Sequence, residues 1–286
     1  MMMNHKKWIK GTIVLGAGLL LAACGNDQGE QTDTGMDADT AEETTLRIGA
    51  SNVPHAEILE FVAPKLEEEG ITLEIERYND YVIPNVALDE GDIDANYFQH
   101  VPFFEEAVIE NDYDFVNAGG IHIEPIAAYS KRHDRLDDLQ EGAKILVSSN
   151  APDYGRVLAI LEDADLITIA DGVDLTTASF DDIEENPLDL QIEYEYDPAL
   201  MPTLLENDEG DVVFINSNFA VDHELNPLED SIAIEDTSSP YANIIAVRAE
   251  DEENPAISRL IEELRSEETQ DFILETWEGA VVPVAE

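Results

Sequence analysis

From Thr45 onward, short apolar runs alternate with stretches in which apolar residues recur every three or four positions. The short runs predict strands and the three-to-four spacing predicts amphipathic helices. Strands are expected at Thr45–Ala50, Ile71–Arg77, Asp94–Phe98, Ile121–Ser130, Lys144–Ser148, Leu190–Tyr194, Val212–Asn216 and Asn243–Val247. Helices are expected at Pro54–Glu69 (stopped by Gly70), Val82–Glu90, Pro102–Asn111, Gly155–Glu162, Ala199–Asn207, Phe219–Leu225, Ala256–Arg265 and Glu268–Trp277. This rhythm predicts an α/β fold with largely parallel sheets, and the length suits two facing lobes. Ligands of such folds sit beyond the carboxyl ends of the strands, so strand-end residues are the ones to interrogate.

The segment before Thr45 reads differently. Lys6, Lys7 and Lys10 precede an uncharged apolar run, Gly11–Ala23, too short to span a bilayer comfortably, which is the pattern of a signal peptide over 1–23. It ends in Leu21-Ala22-Ala23-Cys24, which resembles the lipobox of bacterial lipoproteins, with Cys24 as the acylated residue. Residues 24–44, charged and rich in Gly and Thr, read as a flexible tether.

Charge then narrows the function. The 286 residues carry 65 Asp+Glu against 14 Lys+Arg, a net charge of −51, and the leader holds three of those cations and no acid. The surplus repels phosphate backbones and excludes nucleic-acid binding; it is most simply an acidic, halophilic surface suited to high salt. The hydrophobic content of 44% still fits a folded core. A single Cys excludes an internal disulfide and any multi-Cys metal site. Nucleophile-elbow, zincin, phosphate-loop and dinucleotide motifs are absent, so the sequence calls for neither an enzyme nor a cofactor.

Among so many acids each cation is informative. Arg156 opens a helix, against the macrodipole; either a buried ligand carboxylate repays that placement, or it forms an ion pair with Asp153 or Glu162. Tyr97, Phe98 and His100 end a strand, with Tyr81 in the preceding loop, and read as an aromatic slot or as core. Asn216 and Asn243 stand at the tips of apolar strands and need polar partners, from a ligand or from loop backbone. His55, His100 and His122, with Glu57 and Glu124, make a metal site only if three separate segments converge.

At these residues the chain resembles the methionine-binding lipoproteins of bacterial ABC importers, the MetQ or NlpA type. The resemblance runs through Ile48-Gly49-Ala50, Pro54–Leu59, Asp80–Asn85, Asp94–His100, His122–Pro125, Gly155-Arg156 and Ser239–Asn243. It implies a two-lobed periplasmic-binding-protein-like fold whose ligand cleft lies between lobes linked by two crossover strands, near Ile126–Ser130 and Ser239–Ile244. Lobe 1 is then 45–126 plus 243–286, and lobe 2 is 127–242. It implies a lipid-anchored receptor on the extracytoplasmic face of the cell membrane. Such a receptor captures L-methionine or a close analogue, such as D-methionine or a methionyl peptide, for an ABC permease and its ATPase. By the same resemblance Arg156 clamps the carboxylate, Asn216 and Asn243 hold the polar end, and Tyr81, Tyr97, Phe98 and His100 enclose the side chain. A metal-binding receptor using His55, His100 and His122 is the alternative. One departure stands out: the family's Pro-Asn-Asp-Pro-Thr-Asn loop is here Ser149-Asn150-Ala151-Pro152-Asp153-Tyr154, where Tyr154 can narrow the slot and Asp153 can favour a free ammonium.

Overall fold

Residues 43–236 and 240–284 are described by the structure, a computed structural model. The predicted leader, Cys24, most of the tether and Ser239 lie outside the described residues. The chain starts with β1 (Thr44–Ser51), α1 (Glu57–Glu68), β2 (Ile71–Tyr78), α2 (Ile83–Glu90), β3 (Ala95–His100), α3 (Val101–Asn111) and β4 (Phe115–Ile123). It continues through β5 (Ala127–Tyr129), β6 (Lys144–Ser148), α4 (Tyr154–Asp163), β7 (Thr168–Ile169), β8 (Ile183–Glu185), β9 (Gln191–Tyr196) and α5 (Met201–Glu206). The last elements are β10 (Val212–Ile215), α6 (Ser217–Asp222), β11 (Ala233–Ile234), β12 (Ala242–Arg248), α7 (Pro255–Leu264), α8 (Glu267–Trp277) and β13 (Val282–Pro283).

Two main sheets result, ordered β13-β4-β12-β3-β1-β2 and β11-β5-β10-β6-β9, and the chain passes from one to the other twice. Each is parallel where consecutive βα units wind (β1 with β2 and β3; β6 with β9 and β10) and antiparallel where the crossing and returning strands add on. The sheets are therefore mixed rather than largely parallel. The single strand expected over Ile121–Ser130 is two strands in different sheets. Pro125 sits at the break, where it cannot donate to a ladder.

Both faces of each sheet are covered, which explains the near-continuous apolar strands. In β10, Val212 and Phe214 enter a core with Val157, Leu158 and Leu161 of α4. Their neighbours Val213 and Ile215 enter another with Met201 of α5 and Phe219 of α6. In the first sheet, α1, α7 and α8 pack Leu59, Leu260 and Trp277 onto one face, and Leu88 and Phe104 from α2 and α3 cover the other. Helices on both faces leave the strand ends as the open side. No helix among the described residues is long and apolar enough to cross a membrane.

Candidate ligand-binding site

The carboxyl ends of strands from both sheets converge on one cavity with about 380 Å³ of unfilled space, its mouth included. His55 follows β1, Tyr81 follows β2, Gln99 and His100 close β3, and Glu124 follows β4. From the second sheet come Asn150 beyond β6, Arg156 in the first turn of α4, and Asn216, Ser217 and Asn218 beyond β10; Asn243 returns with β12.

Local sequence explains the placements. The Asp80 side chain accepts the backbone N–H groups of Val82 and Ile83 (2.8 and 2.7 Å), which ties down the turn leading into α2 and fixes the loop carrying Tyr81. His100 caps α3: its Nδ1 accepts the Phe103 N–H at 3.2 Å, so its proton lies on Nε2 and points at Asp153. Gly155 lets α4 begin against the loop at Leu175, since a Cβ there would sit 1.7 Å from the Leu175 carbonyl oxygen. That contact requires the glycine preceding Arg156.

One wall is aromatic. Tyr81, Phe98 and Phe103 stand with ring centroids 5.9–6.2 Å apart, and the Tyr81 hydroxyl donates to Asn218 Oδ1 at 2.7 Å, linking the two lobes. Phe103 was not singled out from the sequence. Tyr97 is not among the lining residues: it is wholly buried in the first-sheet core and its hydroxyl bonds His122 Nδ1. Successive strand residues face opposite sides, so β3 aims Phe98 and Tyr97 apart. Tyr154 also stays out, packed on Phe180 and Tyr194 with centroids 4.6 and 5.5 Å away.

The second wall is built around Asp153, which is fully buried. Its carboxylate accepts from His100 Nε2 (3.1 Å), Arg156 Nη1 (2.8 Å), Asn150 Nδ2 (2.5 Å) and Asn216 Nδ2 (2.8 Å). Burial pushes this acid upward, but the bonds from His100 and Asn216 and the Arg156 charge outweigh it and hold it well below the usual carboxylate range. Arg156, 4% exposed, also gives Nε and Nη2 to Glu235 (2.9 and 2.5 Å) and Nη2 to the Glu124 carbonyl oxygen (2.6 Å). Its face lies over the Tyr241 ring, 4.7 Å from the centroid. A guanidinium has five N–H donors. Four are engaged, so the ion pair with Asp153 anticipated from the sequence exists and one donor remains for a ligand.

The third wall gathers His55, His122 and Glu124. Glu124 Oε1 is 3.2 Å from His55 Nε2 and 2.7 Å from His122 Nε2, and His55 Nε2 is 3.0 Å from Asn243 Oδ1. Burial holds both imidazoles neutral, His55 at about 4 against the pull of Glu124, and His122 at about 3. The same burial pushes Glu124 above the ordinary value. Donor atoms of these three lie within 4.8 Å of one another, the one group among the described residues able to hold a metal ion. His100 is not part of it, being turned to Asp153. Sequence reasoning raised Glu124 only as a metal ligand, because nothing distinguishes one acid among 65.

Two α/β lobes joined by two chain crossings, with a buried polar and aromatic cavity at the strand ends between them, define a periplasmic-binding-protein-like solute receptor. The chain belongs to the NlpA lipoprotein family, whose sequence model matches residues 46–285. It is 42% identical over 283 residues to the methionine-binding lipoprotein MetQ of Bacillus subtilis, covering 98% of this chain and all of that one. Among solved structures it resembles a pheromone cOB1 precursor/lipoprotein of the YaeC family from Enterococcus faecalis. That match has 60% identity and a TM-score of 0.82 over 84% of this chain and all of the other. A nutrient-binding protein from Burkholderia cenocepacia, solved bound to methionine, matches with 38% identity and a TM-score of 0.78 over 84% of this chain and 100% of that one. The Bacillus and Burkholderia relatives are described for binding rather than catalysis, and they do not favour the metal-receptor alternative.

Proposed function

We propose that this protein is a lipid-anchored receptor that captures methionine, or a close analogue, and delivers it to a membrane permease driven by a cytoplasmic ATPase. Cys24 carries the lipid after removal of 1–23, residues 24–44 form the tether, and the receptor sits on the extracytoplasmic face. The lobes are 45–126 plus 243–286, and 127–242. The observation that carries the reading is a cavity lined by both aromatic and polar groups. Tyr81, Phe98 and Phe103 offer an apolar, polarisable wall for a thioether, and Arg156, Asn216 and Asn243 line the same cavity. Arg156 gives its remaining N–H to the ligand carboxylate, Asn216 and Asn243 orient the polar end, and His100 edges the slot. Tyr97 acts from behind the wall through His122. Closure of the lobes over the ligand couples occupancy to docking. The relatives' methionine-binding names support this ligand.

The test is calorimetric titration of L-methionine into residues 25–286, unfolded and refolded to strip carried-over ligand, at high salt. Saturable one-to-one binding, absent with alanine, is expected. Arg156→Ala should weaken it by about 2–5 kcal/mol, because the carboxylate is left buried and unpaired. No heat from methionine in a folded protein would contradict the ligand assignment.

A further inference from the structure

Glu124 is the unusual member of the cavity wall. It is 7% exposed, and the groups that touch its carboxylate are neutral donors: His55 and His122 through Nε2, and the backbone N–H of Asn218. The tautomers follow from the partners. His122 Nδ1 faces the Tyr97 hydroxyl, and His55 Nε2 faces the acceptors Glu124 Oε1 and Asn243 Oδ1, leaving His55 Nδ1 buried without a partner. Two imidazoles thus each aim an N–H at one carboxylate oxygen.

The nearby cation does not neutralise this acid. Arg156 reaches only the Glu124 carbonyl oxygen, and its charge is engaged by Asp153 and Glu235. Two carboxylates therefore engage the one guanidinium, and no Lys or Arg among the described residues pairs with the Glu124 carboxylate. A buried carboxylate held only by neutral donors is costly, and a cation entering the cavity removes that cost.

We infer that Glu124 is the receiving group for a ligand ammonium, so that the cavity selects molecules carrying a free amine beside their carboxylate. This rests on the methionine reading above and adds to it the residue that reads the amine. The placement suits an α-amino acid. Arg156 and Glu124 line the same cavity, close enough for the Arg156 charge to act on the Glu124 carboxylate, so a small zwitterion can meet both. Asn243, hydrogen-bonded to His55, lines the cavity as well.

The experiment titrates wild-type and Glu124→Gln protein, purified and refolded, with methionine and leucine and with the desamino counterpart of each. The wild type is expected to prefer methionine over 4-(methylthio)butanoate by at least 100-fold, and Glu124→Gln to shrink that preference to within about threefold. Glu124→Asp, which retains the charge, should keep most of the preference and shows whether lost binding reflects misfolding. An unchanged amine preference in a Glu124→Gln protein that still binds methionine overturns the inference and leaves the ligand reading intact. An amine preference shown by the leucine pair, with neither methionine compound bound, overturns the ligand reading and keeps the ammonium site. If no amine-bearing ligand binds folded wild-type protein, or if the refolded protein holds a stoichiometric metal that Glu124→Gln removes, the inference falls.

Discussion

Asp153 and Glu124 are both buried carboxylates facing the same cavity, yet they differ in what surrounds them. Asp153 receives a guanidinium and three neutral donors and is held far below the usual range; Glu124 receives only neutral donors and is pushed above it. The Asp153 wall is self-sufficient: the bonds that fix His100, Asn150, Asn216 and Arg156 are already made without a ligand. The Glu124 wall is incomplete, and its missing partner is a charge. A satisfied buried acid positions its neighbours, whereas an unsatisfied one is available to recognise a ligand.

The largest effect should come from removing the satisfied acid. Asp153→Ala strands Arg156 Nη1 and three neutral donors and is expected to cost roughly 3–5 kcal/mol of stability, measured by urea unfolding. A loss under 1 kcal/mol would show that the wall does not depend on it.

Next comes acid sensitivity from the other wall. Unfolded His55 and His122 titrate near 6.5, but in the fold they stay neutral down to about 4 and 3. Their depressed values contribute stability that is full above pH 6.5 and is lost as pH falls toward 4. Glu124, raised in the fold, acts in the opposite sense and favours the folded state as pH falls. At about 1.4 kcal/mol per pH unit of displacement, the net loss should be about 3 kcal/mol. Urea midpoints at pH 7 and pH 5 measure it, and His122→Gln should flatten the difference; an unchanged slope would contradict the assignment.

Gly155→Ala should cost about 1–3 kcal/mol, because the new Cβ forces the Leu175 loop away, and should loosen methionine binding by moving Arg156. The smallest effect is that of Tyr81→Phe, which deletes one hydrogen bond to Asn218 between the lobes and should weaken binding by about 1 kcal/mol in calorimetry.

Much of this was legible in the sequence, and for reasons that can be stated. The βα rhythm placed β1, β2, β3, β6 and β10, and the rule that ligands lie beyond strand ends pointed to His100, Arg156 and Asn216, all of which line the cavity. A cation in an acidic chain and an amide at the tip of an apolar strand are visible because each is anomalous. Tyr97 was misjudged because both faces of β3 are buried, so polarity gave no clue to which residue faces the cavity. The break at Pro125 was missed because the apolar run resumes immediately after it. The Asp153 cluster and the pairing of Glu124 with two histidines depend on contacts between residues far apart in the chain, which local pattern does not encode.

The contrast between the two acids is tested most directly by carbon-13 NMR titration of the side-chain carboxyls, with Asp153→Asn and Glu124→Gln spectra for assignment. The account predicts that Asp153 stays ionised to the lowest pH at which the protein is folded. Glu124 should titrate above the ordinary Glu value of 4.5 in the empty protein and shift downward when methionine is added. A Glu124 that titrates below 4.5 in the empty protein, or that does not respond to bound methionine, would contradict it.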